Sequence, residues 1–144
     1  MSEQNIELMR RLIDAYNAHD IEAMIALCDS SVEWHPYFAA AELGDAAVYH
    51  GHDALRKWHR GLQDAWGDDI RVEPETYFDL GERTLATYTF HGRGRRSGAE
   101  VTVPATAMMR WRNGLIVYFK AYGQRADALA DVGVAENTLE PIAP

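Results

Sequence analysis

The apolar residues change period near residue 69, and that change limits what the chain can fold into. From Ile70 onward four segments, IRVEPETYFDL, RTLATYTFHG, AEVTVPATAMMRW and LIVYFKAYG, are rich in β-branched and aromatic residues and alternate with period two. Turn signals separate them at Asp79 to Glu82, Gly92 to Gly98 and Asn113-Gly114. Asn113-Gly114 is the strongest of these, because a two-residue hairpin turn requires positive φ at both central positions. Four consecutive strands joined by short turns predict an antiparallel meander.

The first half carries helical spacing instead. Ile6, Met9, Leu12, Ile13 and Tyr16 form one amphipathic stripe, and Asp20 can cap a short second helix over Ile21, Met24, Ile25 and Cys28. Asp29, Ser30 and Ser31 then act as a stop, and VEWHP reads as a short strand closed by Pro36. After an irregular stretch from Tyr37 to His52, GHDALRKWHRGLQDAW predicts a third helix, capped near Asp53 and burying Leu55, Trp58 and Leu62. Helices first and sheet afterwards is the α+β arrangement. The expected fold is a cone-shaped, curved antiparallel sheet with about three N-terminal helices on its concave face. It forms one domain over residues 1–135, with a flexible tail over 136–144.

A chain of 144 residues is long enough to bury roughly 68–70% of its unfolded surface without staples. The single cysteine, Cys28, excludes an internal disulfide and lies among apolar neighbours, as inert packing thiols do. A net charge of −8 argues against nucleic acid as a partner, since phosphate binding needs clustered cations. The arginines of GRGRRSG, Arg93, Arg95 and Arg96, read as an exposed turn. No apolar run is long enough to span a bilayer, and MSEQNIELMRRL lacks the basic-then-apolar plan of a secretory signal, so a cytoplasmic location is expected. His50, His52 and His59 have no cysteine beside them and fall in or near a loop, so neither a metal nor another cofactor is expected.

The run HDIEAMIALCDSSVEWHP, the helix opening YHGHDAL and the closing MMRWRNGLIVYFKAYGQRADAL together resemble the nuclear transport factor 2-like superfamily, in particular its SnoaL-like branch. The resemblance extends from about Ile6 to Gly133. It implies a conical fold, usually homodimeric, with a pocket between helices and sheet. It is also distantly similar to the ketosteroid isomerase branch, whose proton-shuttling aspartate ends a strand before a proline where this chain has His35. The two oxyanion donors of that branch align with Leu12 and Ala107, so its usual chemistry is not implied. The positions of the epoxide hydrolase branch fall on Tyr88, Phe90 and Ala121, which cannot carry that reaction either.

These alignments imply an inward set of Tyr88, Phe90, Ala105, Ala107, Met109, Phe119 and Ala121. Tyr118, Lys120 and Tyr122 then face outward, where the superfamily commonly dimerises. Helix stripes add Leu12, Tyr16 and Trp58 to the expected pocket lining. His35 is a candidate general base, since an unperturbed imidazole titrates near neutrality, with Glu33 as its orienting carboxylate. Strand alternation would then turn Trp34 away from the pocket, toward core or interface. Asp45 is a candidate acid in the long loop. The expected function is binding of a small hydrophobic or cyclic molecule in an apolar pocket. The alternatives are an isomerase, cyclase or dehydratase using His35 as base, or a protein-interaction module.

Overall fold

The structure is a computed structural model that describes residues 2–37 and 48–144. Helix α1 (Ser2–Asn17) is followed by a turn in which His19 adopts φ 58°, then by α2 (Ile21–Ile25). Asp20 caps α2 by accepting the Ala23 N–H at 3.1 Å. Strand β1 runs from Cys28 to His35, longer than expected, because Asp29, Ser30 and Ser31 continue the strand instead of stopping it. A two-residue strand β2 (Tyr49–His50) pairs with β1 and leads into α3 (Gly51–Trp66). The N-cap of α3 is His50, with no side-chain cap; Asp53 lies inside the first turn and accepts from Arg56 at 2.7 Å.

The meander follows as β3 (Ile70–Asp79), β4 (Arg83–Arg93), β5 (Glu100–Arg112) and β6 (Leu115–Tyr122). At the β5–β6 turn Asn113 has φ 52° and Gly114 φ 76°, the left-handed pair that the Asn-Gly signal requires. The sheet order is β2-β1-β6-β5-β4-β3, with β1 joining β6 in parallel, so the sheet is mixed at that edge. The sheet is curved and open, and α1, α2 and α3 pack on one face around a core that includes Met9, Leu55, Met109 and Ile116.

A fourth helix, α4 (Arg125–Val132), packs on the reverse face. Its Ala128 and Leu129 cover Tyr122 and the cross-strand row Phe78, Leu85 and Met108. Residues 136–144, expected as a flexible tail, contain a short 3-10 turn (Glu136–Thr138), and Ile142 exchanges both backbone hydrogen bonds with Tyr77, at 2.8 and 2.9 Å. No helix among the described residues is long and apolar enough to cross a membrane.

Strand β3 is an edge, and unpaired strand edges template aggregation unless they are blocked. Ile142 occupies this edge at Tyr77, and the Asn17 side chain occupies it at Val72. Its amide donates to the Val72 carbonyl at 2.9 Å, and its carbonyl accepts the Val72 N–H at 2.8 Å. One side chain at the end of α1 thus acts as a strand residue and ties the first helix to the last edge of the sheet. Asn17→Ala is expected to lower unfolding stability by about 1–3 kcal/mol, the net worth of two part-buried hydrogen bonds, read by urea denaturation.

Candidate functional site

The cavity originates in the inner face of the sheet. Ala86, Ala107 and Ala121 are direct cross-strand partners on β4, β5 and β6, and Ala105 follows opposite Tyr88. Alanine is a weak strand former, so packing against neighbours does not account for this row; its effect is to leave space. Larger side chains border the row. Thr84, Met109, Phe119 and Trp34 form the next register line, and Tyr88 and Phe90 continue along β4. The helices contribute Leu12, Ile13 and Tyr16 from α1, Met24 from α2, and Trp58 and Leu62 from α3.

These groups enclose a cavity with about 80 Å³ available to the centre of a water molecule. That is several times the roughly 10–15 Å³ that one water needs on the same measure. One wall is a run of aromatic rings. Trp34 stacks on Phe119 with centroids 3.9 Å apart and planes at 11°, Trp58 lies 5.4 Å from Trp34, and Tyr16 lies 6.4 Å from Trp58. Tyr37 closes the lining beyond Pro36, its ring packed so tightly on Gly123 that a Cβ there would sit 2.9 Å from Cε2.

Few polar atoms face this space. Burial pushes the Tyr16 phenol far above its ordinary pKa, and the neighbouring Tyr88 raises it further. Burial does the same to Tyr88, with Tyr37 adding to it. Both hydroxyls therefore stay protonated. Buried indole N–H groups of Trp34 and Trp58 have no hydrogen-bond partner among the described residues. Among the described residues no carboxylate, imidazole, ammonium or guanidinium lines the cavity.

Leu12, Tyr16 and Trp58 from the helices, and Tyr88, Phe90, Ala107, Met109, Phe119 and Ala121 from the sheet, border this cavity. His35 does not. Its register partner is Lys120, its ring lies 5.0 Å from that of Tyr118, and its Nε2 is 2.6 Å from the Glu33 carboxylate, all on the outer face. Trp34, only 2% exposed, takes the inward position, and alternation sends residues 33 and 35 the other way. The alternating apolar pair Val32 and Trp34 carried that signal in the sequence, against the parity implied by the isomerase alignment. Tyr37 was passed over because it opens the irregular stretch. Asp45 lies outside the described residues.

The outer face also departs from expectation. Tyr122 is 7% exposed beneath α4, and its hydroxyl donates to Asp131 at 2.6 Å, so it is not free for a second copy. Tyr118 and Lys120 remain half-buried, with Lys120 3.8 Å from Asp131.

The histidines do not converge. His52 Nε2 lies 3.0 Å from the Cys28 carbonyl, His50 is exposed on β2, and no group of three or more His, Cys, Asp or Glu among the described residues is placed to hold a metal ion. Cys28 is buried, its thiol donating to the Met24 carbonyl at 3.4 Å, and burial pushes its pKa up to about 12.

The SnoaL-like domain family model matches residues 9–119. A search of curated protein sequences finds no match. Solved structures of similar fold include an NTF2-like protein of unknown function from Burkholderia pseudomallei K96243 (TM-score 0.75, 21% identity, 88% of this chain and 95% of that one). TerC, co-crystallised with polyporic acid, matches with a TM-score of 0.74 and 18% identity over 89% of this chain and 96% of that one. A protein from Xanthomonas campestris pv. campestris, provisionally assigned as a polyketide cyclase, matches at 0.69 and 18% over 91% and 98%.

The half-buried His59 supplies a pH test of the helical layer. Its Nε2 is buried without a partner among the described residues, and burial lowers its pKa, with His19 lowering it further. A depressed folded pKa means the unfolded chain binds the proton more readily. Stability from this group is therefore present in full above about pH 6.5, the unfolded value, and is lost as pH falls through the lower folded value. Urea midpoints are expected to fall with decreasing pH over that window, and His59→Gln is expected to flatten this slope. With the family model spanning residues 9–119 and the fold agreeing throughout, the chain belongs to the SnoaL-like domain family.

Proposed function

We infer that the protein binds a small, largely apolar, cyclic molecule in the cavity between its helices and sheet. The observation that carries this reading is the alanine row beneath an aromatic wall. Three small residues in register on adjacent strands create a void that single larger side chains would fill. An enclosed apolar cavity with few polar groups is the usual form of a small-molecule site. Family membership and the neighbours' polyketide cyclase assignment and polyporic acid complex support the same class of ligand. Acid–base chemistry through His35 receives no support, because its imidazole is turned to the opposite face. We also infer a homodimer that uses the outer face left open by α4, around Tyr118 and Lys120, in a cytoplasmic protein that acts without a cofactor.

Ala107→Leu fills the void at its centre. It is expected to weaken binding of a retained cyclic ligand at least about tenfold while leaving apo stability unchanged or higher by about 1 kcal/mol, as cavity-filling changes do. Titration calorimetry and urea denaturation read the two effects, and undiminished binding would refute the assignment of this cavity. His35→Ala is expected to leave the same affinity within about twofold, as surface changes away from a site usually do. Sedimentation of the wild type and of Tyr118→Glu tests the dimer: the variant is expected to sediment as a monomer, and an unchanged dimer places the contact elsewhere.

A further inference from the structure

The sheet does not complete the wall of the cavity. Strand β5 pairs with β6 from Arg112 opposite Leu115 to Thr106 opposite Tyr122, then continues to Glu100 with β4 as its only partner among the described residues. The last register pair of β1 with β6 is His35 with Lys120. Beyond these two strand ends the corner of the sheet next to Ala105 and Ala121 has no strand to fill it. Pro36 and Tyr37 follow β1 there, outside the ladder. The Tyr37 ring takes the vacant place: it lines the cavity and lies against Gly123, the residue that follows β6.

Gly123 fits this contact closely. An added Cβ would stand 2.9 Å from Cε2 of the ring, too close to be accommodated unless the ring moves. The backbone does not demand glycine at this position, since its φ lies outside the left-handed region in which Gly114 and Gly133 stand. The missing side chain serves to admit the ring. A second ring-on-glycine contact lies farther across the sheet, where a Cβ on Gly92 would stand 2.8 Å from the Phe90 ring and 3.0 Å from that of Trp66. That contact is fixed, because Phe90 is paired on both sides within β4 and is 2% exposed. Tyr37 is half-buried and has no strand pairing to hold it.

A ligand must displace part of the wall to reach an enclosed space, and the part with the fewest constraints yields first. Resting on the binding reading above, we propose that Tyr37 is the door of the cavity and Gly123 its seat. The ring swings off Gly123 to admit or release the ligand and returns to complete the wall. Opening breaks no strand pairing, so the open form is a minor conformer of the free protein. Entry and exit pass the same opening, and its removal accelerates both. A residue that only touches the ligand acts mainly on the exit rate.

The probe for the test is 4-fluorotoluene, a neutral apolar ring, with fluorine exchange spectroscopy reading its entry rate, exit rate and Kd. Tyr37→Ala is expected to raise both rates at least about tenfold, since a minor open state is populated at about 10% or less, and to move Kd less than either rate. Tyr37→Phe restores the ring and is expected to return both rates most of the way toward wild type. Gly123→Ala keeps the ring but denies it the seat, and is expected to raise both rates as well.

An exit rate that rises alone, or rates that neither alanine variant moves, overturns the door and leaves the binding reading standing. Should an alanine variant fail to fold, relaxation dispersion on ligand-free wild type decides: exchange shared by Tyr37 and Gly123 on the microsecond-to-millisecond scale supports the door, and its absence overturns it. If wild type does not bind 4-fluorotoluene, the binding reading has failed and takes this proposal with it.

Discussion

The stacking of Trp34 on Phe119 is the contact on which the rest of the arrangement depends. It joins β1 to β6 in the one parallel pairing of the sheet, and through Trp58 it connects both strands to α3. Burial of a large ring at that point is worth several CH₂ equivalents of transfer free energy, far more than the exposed side chains beside it can contribute. The indole therefore decides which way β1 faces. Once Trp34 is inside, Glu33 and His35 must be outside, where they bond to each other next to Tyr118.

The cavity follows from a contrast between two packed surfaces. The helical side presents long or bulky groups, including Leu12, Tyr16, Met24, Trp58 and Leu62, and the facing centre of the sheet presents alanine. Native cores are filled to crystal-like density, and a row of three in-register alanines on a sheet otherwise rich in Tyr, Phe and Met is a local exception to that rule. Local departures from consistent packing concentrate at functional sites, because interactions elsewhere must hold them in place. Here the stacked wall, the Asn17 clamp on Val72 and the α4 cluster on the reverse face supply that support.

The polar content of the site is equally selective. Burial keeps the Tyr16 and Tyr88 phenols protonated, so the described lining combines aromatic surface with neutral donors and holds no charged group. The overall charge of −8 thus lies away from the described lining.

Periodicity and turn chemistry were sufficient for the first three helices and the four-strand meander, though not for β2, because both are local properties: alternation over β3 to β6, positive φ at Asn113-Gly114, and the Asp20 cap all act within a few residues. The inward set on the sheet was legible for a similar reason, since one in-register position fixes the parity of a whole strand. Parity failed only at β1, a strand that pairs in parallel with a segment some eighty residues later, so its facing depends on what Trp34 meets there. Placement of α4 over Tyr122, docking of Ile142 on Tyr77 and the closeness of Tyr37 to Gly123 also join distant segments, and no spacing in the chain encodes them. By itself the sequence determined the α+β order, set by local pattern, and the family resemblance supplied the inward parity of β4 to β6. Tertiary structure alone decided that the histidine before Pro36 faces outward and that two tyrosines from opposite walls share one cavity, because both depend on contacts between segments far apart in the chain.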